Sequence, residues 1–149
     1  MITAQIVADY FIAFSHRHGD PVSNLKLQKL LYYAQAWHLA IHDEPLFREP
    51  IQAWVHGPVV PSVYHRYKDW AWKPIEDNPD LPVLGQTTED HLAEVMSVYG
   101  TMTAYALELL THEEAPWRNA RGGLAADEPS AAVISHEDMR TFYRSQMNG

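Results

Sequence analysis

The chain has 149 residues, 46% hydrophobic and 20% charged, with a formal net charge of −8; this suits one globular domain, residues 1–149, that buries roughly 70% of its unfolded surface. It contains no cysteine, which excludes thiolate catalysis, iron–sulfur clusters and cysteine-ligated zinc. No apolar run approaches the ~18 residues of a membrane span, the first ten residues lack the basic region of a signal peptide, and the charge has the wrong sign for a phosphate-backbone binder, so a cytoplasmic protein with neither membrane nor nucleic acid among its partners is expected.

The charge is unevenly placed. No Lys or Arg occurs between Lys73 and Arg118, an interval that holds Glu76, Asp77, Asp80, Glu89, Asp90, Glu94, Glu108, Glu113 and Glu114. Such a run reads either as a solvated acidic face or as an electrostatic guide for a basic protein partner.

In chain order, Thr3 is placed to cap a first helix, with Val7, Tyr10, Phe11 and Phe14 as its apolar stripe and Gly19 as its left-handed stop. Ser23 caps the second helix. Here Leu27, Leu30, Leu31, Ala34, His38 and Ile41 share one face, and Gln28, Lys29, Tyr32, Gln35 and Trp37 are expected on the others. Glu44-Pro45 breaks this helix. Ile51 to His56 alternates as a short strand, with Leu46-Phe47 as its hairpin partner and Gly57-Pro58 as its end. Pro61 opens a third helix through Val63, Tyr64 and Tyr67. A loop bearing Pro74, Pro79 and Pro82 runs to about Thr87, where Thr87 or Thr88 caps a helix with the stripe Leu92, Val95, Met96 and Tyr99. Gly100 stops it, and Met102, Tyr105, Ala106, Leu109 and Leu110 form the apolar face of a second arm, giving a helical hairpin. Pro116 to Arg121 is a short helix ended by Gly122-Gly123. After a loop from Leu124 to Ser130, Ser135 and Asp138 form a capping box for a last helix carrying Met139, Phe142 and Tyr143. The reading is a compact, mainly α single domain of six or seven helices with a minor β-hairpin.

Catalytic signals are sparse. His38 and His42 stand at i, i+4, a spacing that lets two imidazoles share a metal ion, but no His-Glu-x-x-His accompanies them and His38 sits on the apolar stripe. A small His-dependent metal enzyme is the weaker alternative, and neither metal nor cofactor is expected. Ser62 lies near His56 and His65 in sequence without a nucleophile motif, and Gly122-Gly123 lacks the lysine and strand of a phosphate loop. Trp54 and Trp117 read as packing residues. Trp70 and Trp72 read equally as core edges or as exposed interface anchors.

Two long blocks resemble the Panacea domain family, the SocA-like antitoxin domain also found in phage-associated proteins. Leu25–Gln35 follows the pattern Leu-x-Leu-Gln-Lys-Leu-Leu-Tyr-Tyr-Ala-Gln without a break, and Trp54–Tyr64 follows Trp-x-x-Gly-Pro-Val-x-Pro-x-Val-Tyr. Tyr99-Gly100, Leu107, Thr111-His112, Pro116-Trp117 and Arg121 match a third block, so the resemblance runs from Ile6 to Tyr143. It implies a helical bacterial or phage domain that is not an enzyme and neutralises a cognate toxin by direct contact. In one branch the domain acts as an adaptor that delivers its toxin to a protease. No DNA-binding extension of the kind some relatives carry is read here. Within the matched blocks, the residues expected to face the partner are Gln28, Lys29, Tyr32 and Gln35, then His56, Tyr64 and His112, with Trp70 and Trp72 added from the loop. The competing reading for Gln28 and Lys29 is that they brace the Trp54–Tyr64 loop from inside.

Overall fold

The computed structural model describes residues 1–147. Its elements are α1 (Ala4–Arg17), α2 (Asn24–His42), β1 (Gln52–Trp54), β2 (Gly57–Val59), α3 (Pro61–Tyr67) followed by one 3-10 turn (Lys68–Trp70), α4 (Gln86–Tyr99), α5 (Ala104–Glu113), α6 (Ala115–Arg121) and α7 (His136–Met147). The mainly α architecture with a two-stranded hairpin matches the expectation. No helix among the described residues is long and apolar enough to cross a membrane.

The start signals at Thr3, Ser23 and Ser135 act as read: Thr3 Oγ1 accepts the Ile6 N–H at 3.1 Å, Ser23 Oγ accepts that of Lys26 at 3.2 Å, and Ser135 Oγ that of Asp138 at 3.0 Å. The helix after Gly100 restarts not at Thr101, as its position suggests, but behind Thr103, whose Oγ1 accepts the Ala106 N–H at 3.0 Å. Each such cap is worth about 1 kcal/mol. Gly19 takes φ 71° after α1, and Asp43 takes φ 60° to end α2 one residue before Glu44. α4 departs from the expectation: it starts at Gln86 behind Gly85, with neither threonine as side-chain cap.

α2 is the axis of the molecule. Helices α1, α3, α4, α5 and α7 and strand β2 all pack on it, and every residue from Leu27 to Ala36 is buried. Gln28, Lys29, Tyr32 and Gln35 therefore have no outer face to occupy, and each is 0% exposed. This corrects the helical-wheel expectation, which assigned polar and amphipathic residues to solvent. A helix enclosed on all sides buries them, and the amides and the Tyr32 hydroxyl are satisfied internally.

Gln35 shows how. Its Oε1 accepts the N–H groups of Leu46 and Phe47 at 2.7 and 3.3 Å, while its Nε2 donates to the Phe47 carbonyl at 2.8 Å. This clamp takes Leu46-Phe47 out of strand pairing, so the expected hairpin partner is wrong. β1 pairs instead with β2, antiparallel, in the register Gln52↔Val59, Ala53↔Pro58 and Trp54↔Gly57. Gly57-Pro58 opens the second strand rather than ending the first. On its other edge β1 meets the returning loop, where the Ala53 N–H donates to the Ala132 carbonyl and the Ile134 N–H to the Ile51 carbonyl, both at 2.8 Å.

Two further expectations change. α4 and α5 do not form a helical hairpin; each lies against α2, α4 also touching α1 and α5 touching α6 and β2. α5 accordingly buries Leu107 and Thr111, leaving Tyr105 67% and Leu109 45% exposed. The proline-bearing loop is not wholly a surface connection, because Ile75 is fully buried and its N–H donates to the Val22 carbonyl at 2.9 Å.

Replacing Gln35 by alanine strands two buried N–H groups and a carbonyl at the Leu46–Phe47 turn. Gln35→Ala is expected to lower stability by about 2–4 kcal/mol, read as a lower urea midpoint at unchanged m-value.

Candidate partner-binding site around the hairpin

The β1–β2 turn is two residues long, Val55-His56, and is gripped from three sides. From α2, Gln28 Oε1 accepts the Val60 N–H at 2.9 Å and Gln28 Nε2 donates to Asn24 Oδ1 at 2.9 Å. Asn24 Nδ2 in turn donates to the Tyr64 carbonyl at 3.0 Å, so one short chain of amides pins both ends of the β2–α3 junction. From α6, Trp117 Nε1–H donates to the Trp54 carbonyl at 2.8 Å and Arg121 Nη1 donates to the Ala53 carbonyl at 3.0 Å. Arg121 Nη2 also reaches the carbonyls of Ala125 at 2.8 Å and Glu128, tying the following loop to the same strand. From α5, the Thr111 hydroxyl, which donates to the Glu108 carbonyl at 2.9 Å, lies under Gly57.

Gly57 is required there twice over. Its φ is +113°, and a Cβ at this position would lie 2.9 Å from Lys29 Cε and 3.1 Å from Thr111 Oγ1. The lysine stem thus fills the space directly below the turn. Its ammonium is buried and has no hydrogen-bond partner among the described residues, as is His112 Nε2 close by. Burial holds the Lys29 amine down at about 8 against an ordinary 10.5, with Glu108 opposing the shift. Burial also lowers the pKa of His112, whose ring stacks on Trp117 at 4.0 Å and 18°.

Above the turn the surface is open. His56 is exposed, its Nδ1 3.2 Å from Glu108 Oε1. Trp54 meets Tyr64 edge-on at 5.0 Å. These two rings, His56, Leu25 and Val59 line a groove of about 250 Å³ closed on one side by Pro129 and Ser130. The lining is mostly apolar side chain with the His56–Glu108 contact at one rim, the make-up of a small protein-recognition surface.

Of the residues expected at the site, the structure gathers Gln28, Lys29, His56, Tyr64 and His112 around the hairpin, but only His56 and Tyr64 face its groove. Tyr32 is on the α7 side of the core, its hydroxyl 3.1 Å from that of Tyr143. Gln35 serves the Leu46–Phe47 turn. Trp70 is half-buried against the core, and Trp72 is 80% exposed on the loop that follows; neither lines the groove. Trp117 is core as expected, whereas Trp54 is only half-buried and forms a groove wall. Leu25 and Glu108 were not foreseen. Glu108 meets His56 across 52 residues of sequence, and no local pattern carries that signal.

The metal reading gains a neighbour without gaining a site. His91 from α4 joins His38 and His42, with ring centroids 5.3 and 6.0 Å from theirs. His38 Nδ1 and His91 Nε2 bond to the carbonyls of Glu44 at 2.6 Å and Ala34 at 2.8 Å. Among the described residues, no group of three or more His, Asp or Glu is arranged to hold a metal ion.

Two substitutions test this account. Gly57→Ala is expected to cost at least about 1–3 kcal/mol from backbone strain alone, with the Lys29 contact added, and to appear as a lowered thermal midpoint. Lys29 titrates lower in the folded than in the unfolded chain, so its contribution to stability falls as pH drops through about 8. At about 1.4 kcal/mol per pH unit of that displacement, keeping the charge buried costs about 3 kcal/mol at neutral pH. Lys29→Met, which keeps the stem, is expected to raise stability at pH 7 and to remove the rise that the parent shows between pH 8 and 9.5. An unchanged pH profile in denaturant titrations would contradict a charged, uncompensated Lys29.

The family model described as "Antitoxin SocA-like, Panacea domain" matches residues 27–118, a span that holds α2, the hairpin and the α5 contacts to it. Antitoxin SocA of Caulobacter vibrioides is 30% identical over 129 residues, covering 78% of this chain and 69% of that protein. No solved structure matches this chain. With the family model matched over more than half of the chain and a curated antitoxin aligned across most of it, this protein belongs to the SocA-like antitoxin, Panacea domain, family.

Proposed function

We propose that this chain is the antitoxin of a toxin–antitoxin pair, that it acts in the cytoplasm, and that it neutralises its toxin by direct protein–protein contact, with the hairpin face as the primary contact surface. Family membership supports the antitoxin role. The observation that carries the choice of surface is the division of labour at the hairpin. Gln28, Lys29, Thr111, Trp117 and Arg121 hold the turn from within, and this leaves Trp54, His56 and Tyr64 displayed along a groove on a fixed backbone. A surface rigid before binding loses little conformational entropy on binding, which favours affinity, and aromatic rings in a preformed groove are the usual anchors of such contacts. Gln28, Lys29, Tyr32 and Gln35 contribute by fixing the scaffold. His112 supports the turn from below through its stack on Trp117.

The test is coexpression of this chain with the product of the neighbouring gene. Growth is expected to be restored and the two proteins to co-purify. His56→Ala combined with Tyr64→Ala is expected to weaken the complex by at least about tenfold with little change in melting temperature, since the Asn24 bond goes to the Tyr64 carbonyl and not its ring. A neighbour product that is harmless alone, or one that stays toxic beside the parent chain, would refute the antitoxin role. Full neutralisation by the double variant would refute the choice of surface.

A further inference from the structure

A second surface, away from the hairpin, has the chemistry of a docking groove. Where α2 meets α4, Trp37, Ile41, Val95, Val98 and Tyr99 line a cleft of about 260 Å³. Two of these side chains are left uncovered by the fold, Ile41 at 50% and Val98 at 51% exposure. The floor is set rigidly. Trp37 Nε1–H donates to the Tyr99 hydroxyl at 2.7 Å, Tyr99 stacks on Tyr33 at 3.9 Å and 11°, and Trp37 packs 5.0 Å from Tyr143.

The rim gives the groove a sign. Glu94 is exposed and lines it, and Asp90 lies one turn earlier on the same side of α4. The whole interval 74–117, which includes α4, supplies no Lys or Arg to balance them. The nearest basic side chains on α7 are already committed: Arg140 Nε is 2.7 Å from Asp43 Oδ1, Arg144 Nη2 is 3.4 Å from the same oxygen, and Arg144 Nε donates to the Ala40 carbonyl at 3.1 Å. His91, the remaining polar member of the lining, is buried against the Ala34 carbonyl, and burial lowers its pKa, so it stays neutral near pH 7. An apolar cleft with a carboxylate rim and, among the described residues, no free cation in its lining selects a partner that brings apolar anchors flanked by positive charge. A second copy of this chain is disfavoured, because a two-fold contact would press one acidic α4 against another.

We infer that this groove docks a cationic amphipathic helix, with its apolar side chains over Val98 and Ile41 and its Lys or Arg residues against Glu94 and Asp90. That the helix belongs to the toxin rests on the antitoxin reading; the chemistry of the groove does not. Helix-in-groove recognition of this kind reads apolar anchors at i, i+3, i+4 and i+7, and the acidic rim speeds and orients the encounter.

The experiment has two arms. In the first, the isotope-labelled full chain is titrated with a synthetic four-turn amphipathic peptide bearing Leu on one face and Lys on the other, and with a control carrying Glu in place of Lys. Shifts are expected at the Trp37 indole N–H and the Val95 and Val98 amides with the Lys peptide alone. Binding should weaken about tenfold in Val98→Glu, and in Glu94→Lys as well, and should fall with added salt. Equal binding of both peptides, shifts confined to the hairpin groove, or a concentration-dependent dimer that occupies the cleft would overturn the proposal. Val98 is half exposed, so Val98→Glu is expected to fold, and Glu94→Lys gives a second reading on an exposed position. In the second arm, both variants enter the coexpression assay. Loss of rescue at unchanged melting temperature supports the groove. If the parent and both variants rescue equally, the groove is overturned while the antitoxin role stands. If the parent fails to rescue yet binds the Lys peptide at Trp37 and Val98, the antitoxin role falls while the groove survives.

Discussion

The enclosure of α2 is the constraint from which the rest of the structure follows. A helix buried on all sides from Leu27 to Ala36 carries Gln and Tyr at low cost only where their polar atoms find partners inside, because a stranded donor or acceptor costs about 1–3 kcal/mol. Tyr32 and Tyr33 find the side chains of Tyr143 and Glu114, while the amides and Lys26 find main-chain groups of segments that fold back on the helix. Gln35 holds Leu46 and Phe47, Gln28 holds Val60, Asn24 holds Tyr64, and Lys26 Nζ donates to the Gly100 carbonyl at 2.6 Å. Apart from Tyr64 in α3, these groups lie in turns and at helix ends. Their conformation is templated by side chains of one helix, so the fold of the loops is encoded in the sequence of α2 rather than in the loops themselves.

The same enclosure explains the ionisable groups that the core retains. Glu114 is largely buried and its pKa is raised by that burial, while the hydroxyls of Tyr33, at 2.7 Å, and Tyr143 favour its charged form and partly offset the effect. Lys29 has no equivalent relief. Glu108, the carboxylate nearest in effect, is engaged at the surface by His56, and the ammonium has no hydrogen-bond partner among the described residues. What Lys29 supplies is shape: its methylenes fill the space that the glycine at 57 leaves open. The two residues define each other. A side chain at 57 would need a shorter residue at 29, and an apolar residue at 29 keeps the turn only if it is as long and unbranched. This is why methionine, not alanine, separates the role of the stem from that of the charge.

Local chemistry was legible in the sequence, and long-range chemistry was legible only through the motif match. The caps at Thr3, Ser23 and Ser135 act within three residues, and each could be read from the sequence alone. The helical wheel failed at Gln28, Lys29, Tyr32 and Gln35 for a physical reason: it assumes that a helix has a wet side, and α2 has none between Leu27 and Ala36. The Leu46–Phe47 pairing failed because strand propensity cannot see Gln35 arriving from eleven and twelve residues away. The α4–α5 hairpin failed because a tight Gly100 turn fixes where two helices meet and not what they lie against; both found more apolar surface on α2 than on each other. At the hairpin groove, Trp54, His56 and Tyr64 could be read as one block, but Glu108 and Leu25 come from elements whose placement depends on α2.

This bears on what a match to the family motif means. Gln28 and Gln35 of the Leu25–Gln35 block are internal, and their hydrogen bonds reach the main chain at Val60, Leu46 and Phe47, so sharing them implies sharing the path of the backbone around α2. It does not imply sharing a partner. On the proposed reading, the side chains that discriminate between partners are those the fold leaves outside: His56 and Tyr64 at the hairpin, within the Trp54–Tyr64 block, and Ile41, Glu94 and Val98 at the α2–α4 groove, which belong to none of the motif blocks although the family model spans them. The first pair sits on a backbone fixed by the shared core, so its geometry is held while its chemistry can change by single substitutions. The second set is free of hydrogen-bonding duties inside the protein and can change at little cost to stability. A domain built this way keeps one rigid interior and re-addresses its surface, and two chains with the same motif are expected to share a fold while recognising different proteins.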